Sequence, residues 1–126
     1  MKNVYTASES EEQISLFEWA ELMSGRYPQL ELMYHIPNGG KRDRTTAKRL
    51  KAEGVKSGVP DIHLPAPSSG YHGLYIELKA GGNTTTENQD DWLYKLNRQG
   101  YLAVVCYGWQ RASEVIMAYL EGRVRP

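Results

Sequence analysis

The segment Leu74-Tyr75-Ile76-Glu77-Leu78-Lys79-Ala80 constrains this chain more than any other. It reads as a strand, alternating around Ile76 and Leu78, yet it carries a glutamate and a lysine. Both are poor strand formers. Side chains two apart on a strand point to one face, so Glu77 and Lys79 share it. A second short strand, Asp61 to Leu64, is introduced by Gly58-Val59-Pro60. The loop Pro65-Ala66-Pro67-Ser68-Ser69-Gly70 is short enough that the two strands should pair antiparallel. A turn centred near Ser69 then sets Asp61 opposite Glu77, with Lys79 one step along. Like charges directly opposite destabilise a sheet. A divalent cation between them would remove that cost. The plainer alternative is a solvent-facing polar edge in which Lys79 neutralises the pair.

The rest of the chain supplies a scaffold for that hairpin. Apolar positions Ile14, Phe17, Ala20 and Leu22 or Met23 predict a helix over 8–24. Ser8 with Glu11 fits a capping box at its start. Leu30, Leu32, Tyr34 and Ile36 alternate as a strand over 30–36, ended by Pro37-Asn38-Gly39-Gly40. A short basic helix over about 44–53 closes at Gly54. Thr86 to Gln99 reads as a helix with Trp92, Leu93 and Leu96 inward. Tyr101 to Tyr107 is a buried strand, and about 109–121 a last helix. The unit from Leu74 to Tyr107 is strand–helix–strand, so its strands should be parallel. The expected fold is α/β, a four-stranded mixed sheet with helices on both faces, in a single domain spanning 1–126.

Charge narrows the function. Net charge is zero, with 15 basic and 15 acidic residues, which excludes a uniformly basic binder. The balance is uneven along the chain. Residues 1–31 hold six acids against two bases, a net of −4, and residues 41–58 hold seven bases against two acids, a net of +5. A basic stretch beside clustered acids suits a metal-dependent enzyme acting on a polyanion. The single cysteine, Cys106, excludes an internal disulfide and a Cys-based zinc site. It sits mid-strand and reads as an inert core residue. No membrane span, secretory signal, P-loop or dinucleotide fingerprint is apparent, so a cytoplasmic protein without a nucleotide cofactor is expected.

Paired carboxylates suit Mg²⁺, which keeps several waters and takes one or two protein carboxylates. A lysine beside such a site can orient a water or stabilise charge. The reaction class is phosphodiester hydrolysis. The remaining candidates have plainer readings. His35, His63 and His72 read as surface or satisfied core histidines. Asn38-Gly39-Gly40 reads as a turn, although Lys41 and Arg42 beside it would suit a phosphate cradle. The nine tyrosines and three tryptophans show no stacking platform in the sequence, and Trp92 and Tyr119 read as core.

These motifs resemble a known family. Gly58-Val59-Pro60-Asp61, then Glu77-Leu78-Lys79, is similar to the signature of the PD-(D/E)XK nucleases. Ile36-Pro37-Asn38-Gly39-Gly40-Lys41-Arg42, Leu50 to Val55, Gly73 to Lys79, Gln89 with Trp92, and Gly100-Tyr101 resemble the VRR-NUC branch, over about 9–120. The resemblance implies a restriction-endonuclease-like core, small and stand-alone as in phages and bacteria. It implies a Mg²⁺- or Mn²⁺-dependent endonuclease acting on structured DNA (junctions, branches or flaps) as a homodimer. Asp61 and Glu77 match the metal-binding acids, the Leu78 carbonyl a further ligand, Lys79 the catalytic lysine and Gln89 a supporting residue. A first-helix glutamate is also expected. Glu12, beside Gln13, is the first choice for it, Glu9 the reserve, and Glu11 the capping residue. Asn38, Lys41, Arg42, Arg44, Lys48, Arg49 and Lys51 would contact the DNA. The rival functions are a non-catalytic DNA-binding module on the same fold and a protein-interaction domain with a charged surface.

Overall fold

A computed structural model describes residues 7–37 and 43–125. Four helices and a four-stranded sheet follow in the order α1 (Glu9–Met23), a 3-10 helix (Pro28–Leu32), β1 (Tyr34–His35), α2 (Arg44–Ala52), β2 (Ile62–Leu64), β3 (Leu74–Lys79), α3 (Glu87–Arg98), β4 (Leu102–Tyr107) and α4 (Trp109–Leu120). The sheet is mixed, in the order β1-β2-β3-β4. β2–β3 is antiparallel and β3–β4 parallel, as the sequence led us to expect, and β1–β2 is also antiparallel. Ile62 faces Ile76 and Leu64 faces Leu74. That is the register expected for the hairpin, and one step beyond it Asp61 comes level with Glu77.

Helix ends follow local chemistry. Ser8 and Glu11 form a reciprocal capping box on α1, and Thr86 and Gln89 form another on α3. α2 starts at Asp43, whose carboxylate accepts from Thr46 N. It ends in a Schellman motif. Val55 N donates to Leu50 O and Gly54 N to Lys51 O, with Gly54 at a φ of 105°.

The main core lies on one face of the sheet. Leu16 and Ala20 of α1 and Ala112, Ile116 and Tyr119 of α4 pack against Ile62, Leu64, Leu74, Ile76, Leu78 and Cys106. Tyr119 is fully buried and donates its hydroxyl to Ala66 O. α3 packs against β4, where Leu93 and Ala103 are both buried. β4 lies at the edge of the sheet. There the Asn97 side chain accepts from Ala103 N and donates to Ala103 O, at 3.0 and 2.9 Å.

One element differs from the sequence reading. The stretch expected as a strand over 30–36 begins inside a 3-10 helix that ends at Leu32, and only Tyr34–His35 pairs. Pro28 at its first turn pre-sets a helical φ. Leu30 and Met33 are buried, three apart, while Leu32 is 54% exposed. The spacing that decides burial is therefore a helical one. Among the described residues, no helix is long and apolar enough to cross a membrane.

Candidate active site

β2 and β3 bring Asp61, Glu77 and Lys79 together at one end of the sheet. Glu77 is 2% exposed and Lys79 6%. Their charged ends stand 3.9 Å apart. Asp61 accepts a hydrogen bond from Leu78 N at 2.8 Å, so its carboxylate reaches the backbone of the very strand that carries Glu77 and Lys79.

Gln89 approaches from the first turn of α3. Its Oε1 accepts from Thr86 N at 2.9 Å, which fixes the amide orientation. Nε2 is thereby turned to Glu77 Oε2, at 3.4 Å. The cap that starts α3 thus also aims a donor at the buried carboxyl. The other carboxyl oxygen, Glu77 Oε1, is buried without a hydrogen-bond partner. Burial, then the neighbouring Asp61 carboxylate, push the Glu77 pKa up to about 9, against a smaller pull from Lys79.

This environment fits a cation. A buried oxygen lacks a partner, and a second carboxylate raises the cost of ionising the first. Among the described residues, no three His, Cys, Asp or Glu side chains are grouped to hold a metal. Two carboxylates suffice for Mg²⁺, whose remaining positions are usually filled by water and substrate oxygens.

A cavity of about 260 Å³ opens beside Asp61, lined by Glu9, Ser10, Gln13, His35, Pro37 and Leu78 with it. The first-helix glutamate in this cavity is Glu9. Its Oε2 accepts from Asn83 Nδ2 at 2.8 Å. Glu12 points elsewhere. Its Oε1 accepts from Trp109 N at 2.9 Å, at the start of α4. Gly108 precedes that helix and offers no side-chain cap, so the α1 carboxylate supplies one and meets the positive end of the helix dipole. Adjacency to Gln13, on which Glu12 was preferred, does not bring Glu12 into the lining of this cavity. Helical geometry contains the signal that resolves it, since Glu9 and Gln13, four apart, share a face and line the same cavity. His35 is the residue that sequence reasoning missed. It lines the cavity and donates from Nδ1 to Asp61 O at 2.9 Å.

α2 has no buried residue. Thr46 and Leu50 are its half-covered positions. Arg44, Lys48 and Lys51, spaced four and three apart, form an exposed basic stripe on the side away from them, with Arg49 exposed on the flank. Asn38, Lys41 and Arg42 lie outside the described residues.

The loop after α2 is fastened to α3. Asn88 Nδ2 donates to Ser57 Oγ at 3.2 Å. Gly58, at a φ of 92°, sits so close to Asn88 that a Cβ would meet its backbone carbonyl at 2.7 Å.

Comparison with known proteins bears on the family and the fold. The VRR-NUC domain profile matches residues 7–110. The chain is similar to a solved structure, a VRR_NUC domain protein, with 29% identity over 94% of this chain and 92% of that one, at a TM-score of 0.81. No curated protein matches the chain. The matched profile spans most of the chain and includes Asp61, Glu77, Lys79 and Gln89, so the chain belongs to the VRR-NUC family, a nuclease-type DNA-processing domain.

Proposed function

We propose that the protein is a divalent-metal-dependent endonuclease for structured DNA. The observation that carries this is the Glu77 carboxyl, buried level with Asp61, with one oxygen lacking a partner and Lys79 beside it. Asp61, Glu77 and the Leu78 carbonyl would hold Mg²⁺ or Mn²⁺, with Glu9 in reach of the same cavity. A bound metal of this kind lowers the pKa of a water and stabilises charge on a phosphoryl oxygen. Lys79 places its ammonium beside the carboxylates, where it orients the attacking water and offsets charge that develops in the transition state. Gln89 keeps the Glu77 carboxyl in position. The stripe Arg44, Lys48 and Lys51, with Arg49, holds the DNA backbone, which gives affinity and register but reads no sequence. Asn38, Lys41 and Arg42 extend the same basic segment. Paired cuts in a junction need two active sites, and a two-fold homodimer supplies them.

The test is cleavage of labelled branched, flapped and linear DNA with Mg²⁺, Mn²⁺ or EDTA. Metal-dependent cleavage of the branched or flapped forms is expected, with loss in Asp61→Ala and Lys79→Ala. Binding without cleavage would leave a DNA-binding module. Cleavage retained in Asp61→Ala would remove this site from the reaction.

Glu9 and Glu12 of α1 should separate cleanly. Glu9→Gln is expected to weaken cleavage by about 10- to 100-fold with little change in melting temperature. Glu12→Ala is expected to lose about 1 kcal/mol of stability, because it uncaps α4, while the folded enzyme still cuts. Thermal melts run beside initial rates decide it, and the reverse pattern would restore Glu12 as the functional acid.

A further inference from the structure

Five rings from between residues 34 and 101 meet beside this site. His63 lies flat against Tyr75, with ring centres 4.1 Å apart and planes 2° from parallel. Tyr34 meets the His63 ring edge-on at 5.4 Å, and its hydroxyl bonds His63 Nδ1 at 2.8 Å. Tyr101 packs edge-on against Tyr75 at 5.3 Å, and His72 against Tyr101 at 5.7 Å.

Their placement follows from strand alternation. Asp61, directly before β2, and His63 within it share a face, and Tyr75, Glu77 and Lys79 share that same face of β3. Tyr34 pairs with His63 across β1–β2. The rings therefore continue the line of the carboxylates along one side of the sheet. α3 covers this side over β4, and makes no comparable contact with β1 or β2. The row is left half-open, and its outermost member, Tyr34, is 47% exposed.

We propose that this row is a stacking site for unpaired nucleobases, with Tyr34 as its outer ring. The inference rests on the nuclease reading above and adds the part of the substrate that the site selects. Three features suit a base rather than another protein. The rings are held rigid by mutual packing and by the Tyr34–His63 hydrogen bond, so little is lost on ordering them. Aromatic faces accept any base, because every base has a π-face to stack. The row is also continuous with the carboxylates, so a strand whose phosphate reaches Asp61 and Glu77 passes its neighbouring bases over Tyr34. A duplex keeps its bases stacked inside and gains nothing from such a surface. A flap or an open branch does.

The experiment uses the full chain in Ca²⁺ or EDTA, so that binding is read without cutting. The probes are a flapped DNA carrying 2-aminopurine in its unpaired arm and a blunt duplex of equal length. Quenched probe fluorescence on binding is expected for wild type, together with tighter binding of the flapped DNA. Tyr34→Leu should weaken flap binding by roughly 5- to 100-fold and relieve the quench, with duplex affinity unchanged. Tyr34→Phe keeps the stacking ring and loses only its bond to His63, so it should keep the quench and bind the flap far closer to wild type than Tyr34→Leu does. Circular dichroism of each variant checks the fold, and the wild-type quench stands without any variant. Equal affinity for the two DNAs with no quench would overturn the stacking site and leave the nuclease reading standing. Absence of binding and of metal-dependent cleavage on every DNA would overturn both. A wild-type dimer that Tyr34→Leu converts to monomer, read by light scattering, would reassign the row to a contact between copies of the chain and overturn the proposal.

Discussion

Glu77→Gln should make the metal-free protein more stable at pH 8 while reducing metal-dependent cleavage by at least about a hundredfold. The two effects have one cause. Burial and Asp61 hold the Glu77 pKa at about 9, far above the usual carboxylate range. The folded state therefore binds a proton that the unfolded state releases near pH 4.5. Stability from this group is fully present below that lower value, and it is lost as the pH rises through about 9. Between the two, metal-free wild type should lose up to ~1.4 kcal/mol per pH unit from this group alone. Glutamine cannot ionise, so the slope attributable to this position should vanish. A divalent ion must displace the same proton, so its stabilisation of wild type should grow with pH. In Glu77→Gln the ion should add little. Melts with EDTA and with Mn²⁺ from pH 5 to 9, for both proteins, check each part. A variant that keeps the wild-type slope would show that another group sets it.

Among the glycines of the described loops, Gly58→Ala should be the most damaging added methyl. Alanine resists a φ of 92°, and its Cβ would stand 2.7 Å from the Asn88 backbone. Backbone at a helix start cannot rotate aside as a side chain can. Strain and overpacking together should cost roughly 2–4 kcal/mol. Gly54→Ala is the control. It has a φ of 105° and nothing within 4 Å of its Cβ, so it keeps the strain without the clash. A cost of only about 1 kcal/mol is expected there. The functional consequence should also differ. Asn88 and Gln89 are neighbours on the first turn of α3, so pushing Asn88 away moves the donor aimed at Glu77. Gly58→Ala should therefore lose cleavage beyond what its melting temperature explains, whereas Gly54→Ala should keep it. Equal costs for the two would mean the Gly58–Asn88 approach is not rigid.

Much of the fold was legible because local rules and packing agree. The Asp61–Leu64 hairpin register followed from the loop length and the placement of Asp61 and Glu77. Ser8, Thr86 and Gly54 mark helix ends by chemistry that acts within a few residues. The 3-10 helix was missed because Leu30, Leu32, Tyr34 and Ile36 imitate a strand, and only tertiary burial of Leu30 and Met33 breaks the tie. Glu12 was preferred over Glu9 because a sequence neighbour is visible and a partner 97 residues away, Trp109, is not. The aromatic row was invisible for the same reason. Its members, at 34, 63, 72, 75 and 101, come from three strands and two connections that only the folded sheet assembles.

The Asn97 amide has a consequence for life at high concentration. A six-residue apolar edge strand is a template for recruiting other chains. By occupying both backbone groups of Ala103, Asn97 acts as a one-residue false strand and interrupts the free edge near its start. An incoming strand would have to evict that amide before it could lay down a continuous ladder. The side chain thus guards the protein against fibril-like association, a protection that costs the sheet no residue of its own.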